Sequence, residues 1–346
     1  MAKKMNNFFV SIIIPCRNEE EFIGKCLDSV TNQDFPKEKT EVLVVEGRSK
    51  DKTKKIIQNY SQRFSFIKCL DNPKKIAPCA LNMGIKEAKG EIIIRMDAHM
   101  SYKKDYVQKC ADYLIKYKAD NVGGIIKTIP SKKGLRAEAI AVCLSHFFGA
   151  GGSYFRTGSD KPRFVDTVFG GCYKKEIFNR IGFFNENLKR SQDMEFNLRL
   201  KRKGGKILLM PDIISYYYPK SNFRDFFVHN IKDGIWAIYP LKFVKTPLRL
   251  RHYIPFLFVS GLLLTGLLGI FLPVFFFIFI LTLLFYFLIA FYFSIKISAE
   301  KKDARFLFLM PIVFFIRHFG YGAGSIFGFL KLLFPVRKLK KKKINY

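Results

Sequence analysis

The sequence lacks the short motifs that most often mark a cofactor site or a disulfide framework. Its 346 residues include 7 cysteines, yet none forms a Cys-x-x-Cys pair, so we expect buried, reduced thiols in a cytosolic domain. No Gly-x-Gly-x-x-Gly follows the first predicted strand, and no Gly-x-x-x-x-Gly-Lys-Ser/Thr occurs. Dinucleotide-binding and P-loop interpretations therefore lose their main support.

Acidic residues are scarce. Only 28 Asp and Glu stand against 59 Lys and Arg, which gives a formal net charge of +31. Such an excess implies an anionic partner, which is nucleic acid, an acidic membrane or a phosphorylated substrate. Hydrophobic residues nevertheless make up 49% of the chain, which excludes a disordered basic tail.

Charge is absent altogether from Tyr253 to Ile295, a run of 43 residues. As a helix this run would be roughly 65 Å long, about twice the hydrocarbon thickness of a bilayer. Gly269 and Pro273 interrupt it near the middle. We therefore predict two membrane helices, over 253–272 and 274–295, joined by a very short hairpin. A buried helix pair in a soluble protein is the alternative.

Both flanks of this run are basic. Residues 216–252 mix aromatic side chains with Lys and Arg, which predicts an amphipathic interfacial segment on an anionic bilayer; stacking on nucleic-acid bases is the competing interpretation. Lys and Arg recur beyond residue 295, so the charge bias places both flanks on the cytoplasmic side. The sequence thus predicts a multi-pass protein of the cell membrane whose N-terminal domain faces the cytoplasm.

Residues 296–346 need a separate prediction. A third full span over 306–330 would bury Arg317 and His318 near mid-bilayer, at on the order of 3 kcal/mol each, and would place the Lys-rich end outside. We therefore expect this segment to be re-entrant or interfacial, followed by a cytoplasmic tail that binds anionic lipid. Gly320, Gly324 and Gly328 offer a second possibility, close packing of a helix against the two spans.

Hydrophobic runs alternate with helical patterns over the first hundred residues. We predict strands over 10–15, 41–46, 65–70 and 91–96, and helices over 19–31, 51–60 and 80–89. Near-continuous Ile, Val and Leu strands separated by helices are typical of a parallel sheet buried on both faces. The prediction is an α/β fold with an open, mostly parallel Rossmann-like sheet, in one domain over residues 1–215, followed by the membrane helices.

Polar side chains follow each of these four strands. In open α/β sheets, ligands bind outside the carboxyl ends of the strands. The residues at those ends are Arg17, Glu19, Glu46, Asp71, Asp97 and His99. Asp97 and His99 can reach one cation from a single strand tip, and a carboxylate with one imidazole suits Mn²⁺ or Mg²⁺ better than a structural zinc. A solvated strand end is the alternative.

A second polar group lies between residues 121 and 214. Gly170-Gly171 predicts a tight turn or a close approach of the backbone to a ligand. Gln192-Asp193-Met194-Glu195 opens an amphipathic helix. Carboxylates in a first turn also have a purely structural role beside the helix dipole, which is the alternative for Asp193 and Glu195.

As a set, these motifs resemble glycosyltransferase family 2, the inverting, nucleotide-sugar-dependent enzymes with the GT-A fold. Within it the chain looks most like the membrane-bound exopolysaccharide glucosyltransferases of the succinoglycan type. The resemblance covers about residues 9–215, where motif order and spacing both fit. The motifs are Val10-Ser-Ile-Ile-Ile-Pro-Cys-Arg-Asn-Glu19, Val44-Val-Glu-Gly-Arg-Ser-Lys-Asp-Lys-Thr53, Asp71-Asn-Pro73, Ala80-Leu-Asn-Met-Gly84, Asp97-Ala-His99, Phe169-Gly-Gly171 and Gln192-Asp-Met-Glu195.

The resemblance implies roles for the matched residues. The nucleotide-sugar would be bound by Pro15, Arg17, Glu19, Glu46, Asp71, Asn82 and Asp97. A divalent cation, Mn²⁺ or Mg²⁺, would be held by Asp97 and His99. Asp193 would be the general base, and the acceptor side would be formed by Gly170, Gly171, Gln192 and Glu195. The chain departs from the family at Glu46, where an Asp is usual.

The implied function is sugar transfer from a nucleotide-sugar, with UDP the expected nucleotide, to a polyprenyl-linked glycan acceptor in cell-surface polysaccharide or glycan synthesis. Transfer to polyprenyl phosphate itself is a second enzymatic option. No Gln-x-x-Arg-Trp motif occurs after residue 215, which weakens the interpretation as a processive polysaccharide synthase. A basic membrane scaffold or nucleic-acid tether would explain the charge, but not the carboxylates gathered at the strand ends. We expect no nucleic-acid partner.

Overall fold

A computed structural model describes residues 8–244 and 248–334 of the chain, which forms two compact units. The first unit contains the described residues up to Lys127 together with Gly158–Tyr218. The second contains Thr128–Thr157 together with the described residues from Pro219 onward. The stretch predicted as one domain over 1–215 therefore contributes Thr128–Thr157 to the second unit. The predicted Lys-rich tail lies outside the described residues.

The first unit is built on one mixed sheet. Its strands are β1 (Val10–Cys16), β2 (Thr40–Glu46), β3 (Ile67–Asp71), β4 (Ile92–Arg95), β5 (Met100–Tyr102), β6 (Asn121–Thr128), β7 (Arg163–Phe164), β8 (Cys172–Lys174) and β9 (Ile207–Tyr217). They are ordered β3-β2-β1-β4-β8-β6-β9-β5, and β7 pairs with β9. The predicted α/β fold is confirmed.

The parallel half of the sheet contains the four strands that the sequence predicts. β1 pairs in parallel with β2 and β4, and β2 pairs in parallel with β3. Cys16 is opposite Glu46, and Glu46 is opposite Asp71, so these three strands end level with one another. Every residue of β2 is buried, because helices cover both faces of a parallel sheet. The polar residues after these strands consequently lie along one edge.

The other half of the sheet is antiparallel. β8 pairs antiparallel with both β4 and β6, and β9 pairs antiparallel with β5 and β7. The residues Ile94 and Cys172 are opposite each other, which brings the Gly170-Gly171 turn against the end of β4. This pairing connects the strand-end residues with the second polar group of the sequence.

Helices flank the sheet and form most of the second unit. Those of the first unit are α1 (Ile23–Thr31), α2 (Thr53–Arg63), α3 (Ala77–Glu87), α4 (Tyr106–Lys116), α8 (Ile177–Ile181) and α9 (Gln192–Arg202). Those of the second unit are α5 (Leu135–Ser145), α6 (Phe147–Ala150), α7 (Tyr154–Thr157), α10 (Phe223–Ile238), α11 (Ile254–Gly269), α12 (Pro273–Lys301) and α13 (Arg305–Leu333). α11 and α12 correspond to the two predicted membrane helices.

Glycines bring the backbone of α13 against that of α10. A Cβ atom on Gly324 would overlap the carbonyl oxygen of Ile231, and one on Gly234 of α10 would overlap the carbonyl oxygen of Tyr321. The Gly320, Gly324 and Gly328 stripe thus faces α10 rather than the two predicted spans. Gly322 is the glycine that lies against α11, at Pro255. Small residues permit such close approach of two helices.

Three stretches in the described part of the chain are long and apolar enough to cross a membrane, judged by length and composition alone. They are Leu250–Gly269, Pro273–Lys301 and Arg305–Leu333. The third covers the segment expected to be re-entrant or interfacial, and it is one unbroken helix that contains Pro311. Its polar residues have partners: Arg317 binds Asn230 and Asp233 of α10, and His318 Nε2 lies 2.8 Å from the carbonyl oxygen of Phe148.

Candidate active site

A buried arginine joins two of the predicted site carboxylates. Arg95 ends β4 and is 6% exposed. Its Nη2 lies 3.1 Å from Asp97 Oδ1, and its Nη1 lies 3.6 Å from Asp193 Oδ2. Burial opposes the charge of the guanidinium, but the carboxylates of Asp97 and Asp193 outweigh burial and raise the pKa of Arg95. The tip of β4 and the start of α9 therefore meet at one cationic side chain.

Local backbone geometry sets up this meeting. The Arg95 amide donates to the Gly171 carbonyl oxygen at 3.0 Å, which extends the pairing of β4 with β8. Gly170 and Gly171 have φ values of +70° and +111°, in the left-handed region that favours glycine. A Cβ atom on Gly171 would also overlap the hydroxyl of Tyr173. Two glycines are thus required for the turn that faces Arg95.

Glu19 and His99 form a second pair at the same sheet edge. His99 Nδ1 lies 3.4 Å from Glu19 Oε1. Desolvation disfavours the protonated imidazole, but the carboxylates of Glu19 and Asp97 outweigh it and raise the pKa of His99. The Asp97 amide donates to the Tyr102 hydroxyl at 2.7 Å. This hydrogen bond holds the backbone segment that contains both Asp97 and His99. The ends of β1 and β4 are therefore in contact through their polar side chains.

Asp97 and His99 offer only two side chains as ligands for a metal ion. Among the described residues, no group of three or more His, Cys, Asp or Glu side chains could hold a metal ion by itself. One or two carboxylates commonly hold Mg²⁺ and similar cations when substrate phosphates and water complete the coordination sphere, and here an imidazole nitrogen is also available. The pair therefore fits a cation that arrives with a diphosphate, and it does not fit a permanently bound structural metal.

Reciprocal hydrogen bonds join the loops after β1 and β2. The two carboxylate oxygens of Glu46 accept from the amides of Arg48 and Ser49, at 3.0 and 2.6 Å. Asn18 Oδ1 accepts from the Lys50 amide at 3.0 Å, and the Asn18 amide donates to Ser49 Oγ at 2.9 Å. Glu46, only 2% exposed, thus holds its own loop in shape. This function explains a carboxylate at this position independently of any ligand.

More exposed residues border these loops. The stem of Arg17 packs against Gly47, where an added Cβ would lie 3.1 Å from the Arg17 Cβ. Asp71 forms an exposed two-pronged pair with Arg48, whose Nη2 lies 2.9 Å from Asp71 Oδ2. Pro15 is half-buried near the end of β1. The guanidinium of Arg17 and the carboxylate of Asp71 therefore remain accessible to a ligand at the rim of the sheet edge.

Two predicted site residues are hydrogen-bonded into the surrounding structure, and a third is buried beside them. Asn82 exchanges hydrogen bonds with the backbone of Phe184, at 2.9 and 3.0 Å. Glu195 is 2% exposed, and its carboxylate oxygens accept from Arg199 at 2.7 and 3.0 Å. Gln192 is buried, and its Oε1 has no hydrogen-bond partner among the described residues. Of these three, Gln192 alone has a polar atom left over for a ligand.

The structure thus brings together Glu19 with His99, and Asp97 with Asp193 through Arg95. It adds Arg95, which the sequence reasoning missed. The available signal was a charged residue inside the apolar run Ile92-Ile93-Ile94-Arg95-Met96, since a buried charge requires a partner of opposite sign. An edge with three carboxylates, an imidazole and a guanidinium can bind a charged, phosphorylated ligand and accept a proton beside it.

Comparison with protein families identifies a match over most of the first unit. The sequence model described as "Glycosyl transferase family 2" matches residues 11–182. That range contains every predicted site residue except Gln192, Asp193 and Glu195.

Two curated proteins illustrate the similarity along the chain. One, from Methanococcus voltae, is named dolichyl N-acetyl-alpha-D-glucosaminyl phosphate 3-beta-D-2,3-diacetamido-2,3-dideoxy-beta-D-glucuronosyltransferase. It is 31% identical over 334 residues, which cover 93% of this chain and 98% of that protein. The other is the succinoglycan biosynthesis protein ExoA of Rhizobium meliloti, 28% identical over 247 residues, which cover 66% of this chain and 74% of that protein.

One solved structure has a similar fold. It is the mannosyltransferase PcManGT from Pyrobaculum calidifontis, in complex with GDP-Man and Mn²⁺. The two structures align with a TM-score of 0.60 and 17% sequence identity, covering 94% of this chain and 88% of the other. At this identity the likeness concerns the fold alone.

Proposed function

This chain belongs to glycosyltransferase family 2, and on that premise we propose that it moves a sugar from a UDP-sugar to a lipid-linked acceptor with inversion at the anomeric carbon. The observation that carries the proposal is the Arg95 bridge, with Asp97 Oδ1 at 3.1 Å and Asp193 Oδ2 at 3.6 Å. It keeps Asp97, a carboxylate that could hold the cation of the donor diphosphate, beside Asp193, a carboxylate that could accept the proton of the acceptor hydroxyl.

In this mechanism Asp193 accepts the proton of the acceptor hydroxyl while that oxygen attacks the anomeric carbon, and the bond from that carbon to the diphosphate oxygen breaks, so that UDP leaves. The Asp193 carboxylate is half-buried at the start of α9, so the side chain is held in place and still reachable by an acceptor. A positioned general base typically contributes about 10²–10⁴ to the rate. Arg95 orients Asp193 through the contact between its Nη1 and Asp193 Oδ2 at 3.6 Å.

The donor's nucleotide would lie against the loops after β1 and β2, near Pro15, Arg17 and Glu46, with Asp71 on the rim. Asp97 and His99 would hold the divalent cation beside the diphosphate. When bound, this cation neutralises the negative charge that develops on the leaving phosphates. Glu19 orients the His99 ring through its contact with Nδ1, a role that partners of ligating imidazoles commonly have.

The acceptor is proposed to be a polyprenyl-linked glycan used in cell-surface polysaccharide or glycan synthesis. The name of the Methanococcus voltae relative, which refers to a dolichyl-phosphate-linked sugar, supports a lipid-linked acceptor. Gly170, Gly171 and Gln192 would form the acceptor side, and Glu195 would support it from behind through its bonds to Arg199. We also propose that α11 and α12 cross the cell membrane, with the first unit facing the cytoplasm and basic residues contacting anionic lipid.

Isothermal titration of the detergent-purified protein with UDP, with and without Mn²⁺, tests the donor site. We expect metal-dependent binding that Asp97→Ala and Asp97→Asn lose. Asp303→Ala is the matched control, because Asp303 pairs with Arg305 at the surface of the second unit and should bind UDP like the wild type. UDP binding that does not depend on Mn²⁺, or that is retained by both Asp97 variants, would contradict the proposal.

A further inference from the structure

The last half of α13 lies across the beginning of α11. A Cβ atom on Gly322 would overlap the Pro255 carbonyl oxygen, and the rings of Phe256 and Phe329 are 4.5 Å apart. The far end of α11, at Gly269, is about 20 Å beyond Phe256 at 1.5 Å per residue. α13 ends at Leu333, about 6 Å past Phe329. It therefore ends close to the level at which α11 begins.

The hairpin of α11 and α12 extends past this level without α13. Phe258 near the start of α11 stacks on Tyr286 of α12 at 4.7 Å, and the Tyr286 hydroxyl lies 2.9 Å from His318 Nδ1. Beyond these residues α11 and α12 continue side by side to their turn, where a Cβ atom on Gly269 would lie 2.8 Å from the Phe276 amide nitrogen. After His318, α13 crosses the beginning of α11, at Gly322 and Phe329, and packs along α10.

α10 and the last half of α13 form one packed pair. Their backbones touch at Gly324 with Ile231 and at Gly234 with Tyr321. Beyond α10, the Lys242 ammonium donates to the carbonyl oxygen of Leu332 at 3.2 Å, which binds the last turn of α13. These contacts run along both helices, so the two pack side by side as a single element.

The exposed faces of this pair differ in polarity. On α13, Phe327, Leu330 and Leu333, three residues apart from one another, are 55%, 48% and 80% exposed. On α10 the exposed side chains include Arg224 and Lys232. Charged side chains are costly at the bilayer centre, so a helix with a charged face is not expected there. Helices that combine charged and apolar faces are typical of the membrane interface.

We propose that α10 and Tyr321–Leu333 form a membrane-surface platform, which lies on an anionic bilayer while α11 and α12 alone cross it. The platform is continuous with the crossing hairpin through Pro255 and Phe256. Its exposed lysines, Lys232 and Lys331, favour anionic lipid as the partner. The C-terminal end of α13 is then on the same side of the bilayer as the beginning of α11.

The chain's single tryptophan, Trp236 in α10, measures the depth of the platform directly. The full protein is reconstituted in phosphatidylcholine vesicles containing phosphatidylglycerol, in which lipid chains carry bromine either near the carbonyl or near the methyl end. We expect the shallow label to quench Trp236 emission more than the deep label. Leu264→Trp in a Trp236→Phe background is the control, because Leu264 is 57% exposed in mid-α11 and should reverse the order.

Stronger quenching of Trp236 by the deep label, or quenching by neither label, would overturn the platform. A reporter fused after Tyr346 gives an independent readout: it should be found on the cytoplasmic side, and an external reporter would show that α13 crosses. Neither measurement involves sugar transfer or UDP binding. A failed platform would therefore leave the proposed catalytic function untouched.

Discussion

Replacing Arg95 with Met should destabilise the protein strongly. Arg95 is 6% exposed and Asp97 is 9% exposed, so the substitution leaves a buried carboxylate without its counter-charge. Breaking a buried ion pair by removing one partner costs about 3–5 kcal/mol. For a unit of this size, that loss lowers the thermal midpoint by roughly 6–20 °C. Arg95→Lys should lose less stability than Arg95→Met, because Lys keeps the positive charge. It should still be less stable than the wild type, because Lys lacks the planar guanidinium that binds a carboxylate with two nitrogens.

The chain offers a matched control for this substitution. Arg48 and Asp71 also form a two-pronged pair beside a strand end, but both side chains are 54% exposed. Exposed pairs are screened by water and salt, and many contribute nothing measurable. Arg48→Met should therefore unfold at nearly the same temperature as the wild type. The comparison isolates burial as the cause, since the chemistry of the two pairs is the same.

Near-ultraviolet circular dichroism of the detergent-purified variants follows this unfolding through the tyrosines. Adding Asp97→Asn to Arg95→Met should recover part of the lost stability, because an amide needs no counter-charge. Coupling between residues in contact is typically about 0.5–3 kcal/mol. Equal midpoints for Arg95→Met and Arg48→Met would refute the reasoning, and so would a double variant less stable than Arg95→Met alone.

Three further outcomes follow from the same contacts. Asp193→Asn should bind UDP like the wild type and lose about 10²–10⁴ in turnover; undiminished turnover would remove Asp193 from the mechanism. Gly324→Ala should lower the thermal midpoint, since its Cβ would meet the Ile231 carbonyl oxygen, whereas Gly261→Ala, with nothing within 4 Å, should not. Chelating divalent cations should abolish turnover, and added Mn²⁺ or Mg²⁺ should restore it; activity that persists in chelator would exclude the cation.

The parallel half of the fold was predictable because its signals are local. Runs of Ile, Val and Leu alternate with helical patterns, and the predicted strands agree with the observed ones to within two residues, as for 41–46 against Thr40–Glu46. The antiparallel half was not predictable, because β8 has only three residues and its position is fixed by pairing with β4 and β6. Register between such distant segments depends on tertiary packing rather than on local pattern.

The site shows the same division. Sequence position brought Asp97 and His99 to one strand tip, because neighbours along a chain stay close in space. Position cannot reveal how a carboxylate is used: Glu46 binds its own loop and Glu195 binds Arg199, two bonding patterns that depend on the folded backbone. Arg95 was missed for a different reason, since the carboxylate that completes its pairing, Asp193, is 98 residues away in the sequence.

Arg317 illustrates how an energetic argument depends on partners that only the structure supplies. A third span is costly if Arg317 and His318 are lone polar groups in hydrocarbon. In the structure Arg317 binds Asn230 and Asp233, and His318 binds the Phe148 carbonyl oxygen, so these contacts offset much of the desolvation cost. Desolvation therefore no longer decides between a span and an interfacial helix. The contact of Phe329 with Phe256 supports the proposed interfacial helix, because a helix that ends beside the first turn of α11 has little length left with which to reach the far side.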